Sequence, residues 1–172
     1  MNSIPVPNRD STTDIDELVY EYGDSLFRMC FLYLKDVHLA EDAVQETFLK
    51  VYKNYPQFKG DSDIKTWIMR IAINVCKNYR RSFWWKHVDA AKSLQEIAFS
   101  TDLESLQDDT LVLEIMKLSP KYKEVILLFY YHDMPIREIA RALNIPASTV
   151  AVRLKRAREQ LKSKLEGWYY DE

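Results

Sequence analysis

The stretch LSPKYKEVILLFYYHDMPIREIARALNIPASTVAVRLKRAREQL, residues 118–161, decides the fold class. Ser119-Pro120 is a helix start, with Ser as the cap and Pro at the first helical position, where its missing N–H costs nothing. Val125, Leu128 and Phe129 give that helix an apolar stripe, and it ends near His132-Asp133. Pro135 opens a short amphipathic helix to Ala142. Asn144 then marks a tight turn, since Asn tolerates the left-handed conformation better than most residues. Pro146 opens a last helix to about Leu165, striped by Val150, Leu154, Ala157, Leu161 and Leu165. A short helix, a tight break and a longer basic helix form a helix-turn-helix pattern, whose second helix fits the major groove of DNA. Arg153, Lys155, Arg156, Arg158, Lys162 and Lys164 fall outside the apolar stripe, on the open faces. A plain basic helical hairpin would share this pattern.

The rest of the chain reads as helical too. Three Gly in 172 residues argue against glycine-rich phosphate loops and β-hairpin arrays. Apolar residues recur at helical spacing from Asp14 to Leu34 (Leu18, Tyr22, Leu26, Met29/Cys30, Tyr33). A second helix is predicted from about Leu39 to Tyr55, capped by Asp36 or His38 and ended by Pro56. A third is predicted from about Asp63 to Arg81, striped by Ile64, Trp67/Ile68, Ile71/Ala72, Val75 and Tyr79. The expectation is all-α, with two small helical domains joined by a linker. Residues 1–13 read as a mobile tail, 14–82 as the first domain, 83–105 as an acidic linker, 106–166 as the second domain and 167–172 as an aromatic-acidic tail. Lobes this small have thin stability margins, so docking on a larger partner would help them.

The net charge of -2 hides an alternation. Residues 1–61 are net -5, 62–86 net +5, 87–119 net -5 and 135–165 net +6. A polyanion suits the two basic segments, although solvated helix faces would look the same. Two Cys are too few for a disulfide scaffold, and Cys30 and Cys76 on apolar stretches read as buried structural thiols. His38, His87 and His132 make no metal-ligand spacing with them, so neither a metal nor a cofactor is expected. No apolar run approaches a membrane span, and the N-terminus lacks a signal pattern, so a cytoplasmic location is expected.

Residue chemistry assigns candidate roles. Groups near the start of the last helix (Ser148, Thr149, Ala151, Val152, Arg153, Lys155 and Arg156) are placed to reach base edges. Phe58 to Arg81 interleaves Phe58, Trp67 and Tyr79 with Lys59, Lys65, Arg70, Lys77, Arg80, Arg81 and the amides Asn74 and Asn78. That mixture suits single-stranded nucleic acid, where bases stack or enter pockets while cations follow the backbone. Trp67 and Ile68, however, are more often simply core residues. Ala40 to Phe48 carries an acidic, polar face, which composition alone would leave as a solvated surface.

Three segments in order then carry a resemblance. AEDAVQETFLKVY (40–52) resembles the region 2 helix with which extracytoplasmic-function sigma factors of the sigma-70 family bind the clamp helices of RNA polymerase. FKGDSDIKTWIMRIAINVCKNYRR (58–81) resembles their minus-ten reading and melting segment, and residues 118–161 resemble region 4, which reads the minus-thirty-five element. The resemblance covers about 14–82 and 106–165. It implies a transcription initiation factor with no active site of its own. Its implied partners are RNA polymerase core (beta-prime clamp helices and beta flap), promoter DNA both as duplex and as unpaired non-template strand, and an anti-sigma factor, often membrane-bound. Asp42, Gln45, Glu46 and Phe48 match the polymerase-binding helix. Phe58, Asn74, Lys77 and Asn78 match the minus-ten reader, where one base flips into a pocket beside the Phe58 loop. Thr149, Arg153, Arg156 and Arg158 match the recognition helix. Ser148 departs from a frequent Gly, and Ala151 and Val152 stand where polar groups are frequent. Those two cannot donate a hydrogen bond to a base, but could touch a thymine methyl.

Two other readings share part of this pattern. A conventional repressor or activator would use the helix-turn-helix alone and would not need the basic-aromatic stretch 58–81. A bundle enzyme would need convergent His, Asp or Glu at ligand spacing, such as Glu-x-x-His pairs, and the sequence has none.

Overall fold

A computed structural model describes residues 11–82 and 109–169. The acidic linker 83–105 with Trp84-Trp85, the first ten residues and the end of the aromatic tail lie outside the described residues. The described chain is helical throughout, as the periodicity requires.

The first lobe has three long helices: α1 (Ser11–Leu34), α2 (Val37–Asn54) and α3 (Ile64–Arg81). A sharp corner separates α1 from α2. Lys35 takes the left-handed conformation (φ 62°), and its N–H donates to Phe31 O at 2.7 Å. Asp36 then caps α2, its Oδ1 accepting from Leu39 N at 2.8 Å. Of the two predicted caps Asp36 is therefore the real one, while His38 stands on the surface 3.6 Å from Glu41. Pro56 ends α2 as expected, but by tightening the chain into a 3-10 turn over Tyr55–Gln57 rather than stopping it. Cys30 on α1 and Cys76 on α3 are buried, with sulfurs 3.6 Å apart and both thiols free.

The second lobe contains α4 (Asp109–Lys117), α5 (Pro120–Ile126), a π-helical turn (Leu127–Tyr131), α6 (Ile136–Leu143) and α7 (Ala147–Tyr169). Pro120 sits at the start of α5, but the Ser119 side chain makes no capping bond. Its carbonyl instead accepts from Tyr122 N and Lys123 N at 2.9 and 3.0 Å. Asn144 is left-handed (φ 54°, ψ 49°), and Ile145 N donates back to Ala140 O at 3.1 Å, which closes α6 and turns the chain into α7. Val150, Leu154, Ala157 and Leu161 are buried, with Leu165 half-buried, so the predicted stripe of α7 is the observed one.

The lobes are not merely strung together; their buried residues join one core. Helix α3 is apolar on two sides. Ile68, Ala72 and Val75 belong to the expected stripe, but Thr66, Met69, Ile73 and Cys76 are also buried. Thr66, Met69, Ile73, Lys77 and Arg80 share one helical face. Its ends touch the second lobe: Thr66 Oγ1 donates to Glu138 Oε2 at 3.1 Å, and Lys77 Nζ lies 3.4 Å from Glu124 Oε2. Glu124 is buried and also accepts from Tyr33 OH at 3.0 Å. Lys65 Nζ donates to the His132 carbonyl. In the pair of Lys77 with Glu124 the carboxylate is deeply buried while Lys77 keeps 25% of its side chain exposed; a buried charge is costly to desolvate, and removing its partner costs more than the pair contributes.

Lys123 lies in the same region, buried, donating to Met116 O at 2.7 Å. Burial first, then the nearby Lys35 and Arg80 cations, pull its amine down to about 7 from 10.5. The unfolded chain therefore holds more protons than the fold between those values, so stability rises with pH above 7. Denaturant midpoints taken from pH 7 to 9 should climb for the native chain and climb less for Lys123→Met. Equal slopes would remove Lys123 from the account.

Candidate nucleic-acid and polymerase interfaces

The exposed side of α3 presents Trp67, Arg70, Asn74, Asn78 and Arg81 in one row, three or four residues apart. The loop after the 3-10 turn brings Phe58 against Trp67, ring centroids 4.9 Å apart and tilted by 35°. Tyr55 flanks the same indole at 6.5 Å. Asn54, Gln57, Phe58, Trp67, Arg70, Ile71 and Asn74 line a cleft of about 360 Å³. It offers an aromatic wall, amide donors and acceptors, and a cation, which is what a single unstacked base needs. Of the sequence candidates, Phe58, Trp67 and Asn74 meet in this cleft, with exposed Lys59 next to Phe58 in the chain. Asn78 and Arg81 continue the row. Lys77 and Arg80 do not join it. Lys77 turns toward Glu124, and Arg80 is half-buried with no hydrogen-bond partner for Nε among the described residues. The sequence pattern missed Asn54, the last residue of α2, and Gln57, which the 3-10 turn carries into the wall.

The second face lies on α7. Ser148, Ala151, Val152, Lys155, Arg156 and Arg158 are exposed, and Thr149 and Arg153 half-exposed. Ser148, Thr149, Val152, Arg153 and Arg156 share a cleft of about 320 Å³ with Tyr122 and Lys121 of α5. Lys121 was not legible as part of this face, because only the crossing of α5 over α7 brings it there. Ala151 and Lys155 stand outside the cleft. Arg158 stands on the far flank, its Nε donating to Leu154 O at 3.3 Å.

That flank borders an almost wholly apolar cleft of about 480 Å³, whose walls include Leu111, Ile115, Ile126, Tyr130 and Leu161. On α2, Asp42 and Gln45 are exposed, and Glu46 pairs with Lys50 at 3.1 Å. Phe48 departs from its assignment. It is 9% exposed and packs in the core with Thr47 and Val51, so its ring is closed to any partner. The outward apolar groups are its neighbours Leu49 (59% exposed) and Tyr52 (51%). Among the described residues no group of three or more His, Cys, Asp or Glu is arranged to hold a metal ion, and no helix is long and apolar enough to cross a membrane.

The profile described as Sigma-70 region 2 matches residues 18–86, and that described as Sigma-70, region 4 matches residues 109–161. The ECF RNA polymerase sigma factor SigW of Bacillus subtilis strain 168 is 31% identical over 172 aligned residues, spanning 92% of this chain and 90% of SigW. The chain belongs to the ECF sigma factors of the sigma-70 family. SigM of the same organism is 29% identical, spanning 87% of this sigma factor and 93% of SigM. Two solved structures share its fold. One is CnrH in complex with the cytosolic domain of CnrY (TM-score 0.70, 23% identity, 90% of this chain and 89% of that one). The other is RpoE in complex with the anti-sigma factor NepR from Bartonella quintana (TM-score 0.72, 20% identity, 94% and 100%). As a sigma factor it is a transcription initiation factor that acts with RNA polymerase core on promoter DNA.

Proposed function

We propose that the α3 cleft captures an unpaired non-template base of the minus-ten element while α7 reads the minus-thirty-five duplex. The meeting of Phe58, Trp67 and Asn74 in one cleft carries this reading. Flipping a base costs a few kcal/mol of stacking and pairing, which an aromatic wall and an amide together can offset. Asn78 and Arg81 extend the row along the strand. On α7, Arg153 and Arg156 are placed for guanine edges, while Lys121 and Lys155 suit phosphates. Asp42, Gln45, Leu49 and Tyr52 form the polymerase clamp contact, and the apolar cleft beside Arg158 suits an amphipathic element of the beta flap. Region 2 then spans 14–82, the linker 83–105 and region 4 106–166. The factor works in the cytoplasm without catalysis of its own. An anti-sigma factor is its regulator, a reading supported by the CnrY and NepR complexes of its structural relatives.

The test is Asn74→Ala. The side chain is exposed, so folding should be unaffected. Promoter opening should fall about tenfold or more, the scale of one lost hydrogen bond to a base, while closed-complex binding stays near normal. Permanganate footprinting reads the two apart, and normal melting by the variant would overturn the base-capture reading.

A further inference from the structure

We infer that Val152 selects a thymine in the minus-thirty-five element by contact with its C5-methyl group. The inference rests on the reading of α7 as the helix that enters that element. Val152 is 49% exposed and, among the described residues, one of the few large apolar side chains left in water. It adds nothing to the core, because the buried stripe of α7 runs through Val150, Leu154, Ala157 and Leu161 on another side. It opens instead into the cleft formed by Lys121, Tyr122, Ser148, Thr149, Arg153 and Arg156, where every neighbour but the Tyr122 ring is polar or cationic. Ala151, the other apolar departure on this helix, is exposed but lies outside the cleft, and its single methyl reaches less far than the branched side chain of Val152.

A branched hydrocarbon inside a polar reading face has one good partner in B-DNA. Guanine and adenine present N7 with O6 or N6, cytosine presents N4, and only thymine presents a methyl group in the major groove. Against the other three bases the valine would strip water from a donor or acceptor and supply nothing in return. Val152 therefore attracts thymine and disfavours its rivals at one step. Arg153 and Arg156, in the same cleft, fix the register around it.

The test uses the holoenzyme, RNA polymerase core loaded with this factor, and a promoter selected by it from a randomised duplex library. Each thymine of the upstream element, on either strand, is replaced singly by deoxyuridine, which removes the methyl and leaves base pairing intact. For the native factor one position should lose about fourfold in affinity, the value of one buried methyl-sized group. Val152→Ala should bind the thymine and deoxyuridine versions of that position equally. If no single replacement weakens the native complex, or if Val152→Ala still discriminates fully, the inference is overturned. Scrambling the whole upstream element separates the two levels. If scrambling weakens binding but deoxyuridine does not, only the role of Val152 falls. If scrambling has no effect, the reading of α7 falls with it.

Discussion

Replacing Asp42 by lysine together with Leu49 by aspartate should lower affinity for RNA polymerase core by about a hundredfold or more, the scale of losing an interface hot spot. Both side chains project from the open side of α2, and neither is in the core. Leu49 and Tyr52, each more than half exposed, are apolar groups that a small helical domain has no internal reason to display. Asp42 and Gln45 precede them on the same side at helical spacing, so the face has a polar end and an apolar end. The double variant should melt at the native temperature by circular dichroism. Phe48→Ala provides the contrast. Its ring is in the core, so the variant should lose about 3 kcal/mol or more and roughly 10 °C in Tm. Any polymerase defect it shows would follow from the unfolded fraction. Native affinity in the double variant would remove α2 as the docking helix.

The helices that carry the two proposed DNA faces were legible because each helix has one dominant period and clear punctuation. Asn144, Pro146 and the stripe of Val150, Leu154, Ala157 and Leu161 can be placed from the sequence, and they fold as read. The packing of the lobes onto each other was not legible. Its signal is a second apolar face on α3, through Met69 and Ile73, and a stripe count that looks for one buried side absorbs such residues into the first. Lys77 shows the consequence. Its charge and neighbours fit a nucleic-acid contact, but three residues beyond Asn74 it falls on the side facing Glu124, a glutamate 47 positions away in the chain. Phe48 failed for a related reason. The motif match fixes its position in the helix but not its direction, and only the burial of Thr47 and Val51 beside it shows that this side faces inward. Lys121 and Asn54 were missed because their roles depend on a helix crossing and a 3-10 turn, which leave no periodic trace.

Glu124→Ala should spring the lobes apart and strengthen promoter binding. The minus-ten and minus-thirty-five elements lie about 25 base pairs apart, roughly 85 Å of duplex at 3.4 Å per pair. A compact body of this chain length has a radius of gyration of about 16 Å, hence a diameter of roughly 40 Å. If α3 and α7 read these two elements as proposed, the closed arrangement cannot cover both on a straight duplex, and the two helices must separate. Glu124 is the group most exposed to that choice. Closed, it is buried, accepting from Tyr33 OH at 3.0 Å and facing Lys77 Nζ at 3.4 Å. Removing it leaves the Tyr33 hydroxyl and the Lys77 cation without their shared acceptor, a loss of about 3 kcal/mol when a buried pair is broken. On that scale the ratio of open to closed molecules rises by about a hundredfold, and apparent promoter affinity rises as the competent fraction does. Glu124→Gln, which keeps an acceptor for Tyr33 but not the charge for Lys77, should fall between. Single-molecule energy transfer between a dye on α2 and one on α7 reads the opening, and promoter titrations with holoenzyme read its effect. A native distance distribution in Glu124→Ala would show that the apolar contacts of Met69 and Ile73, not this buried carboxylate, hold the lobes together.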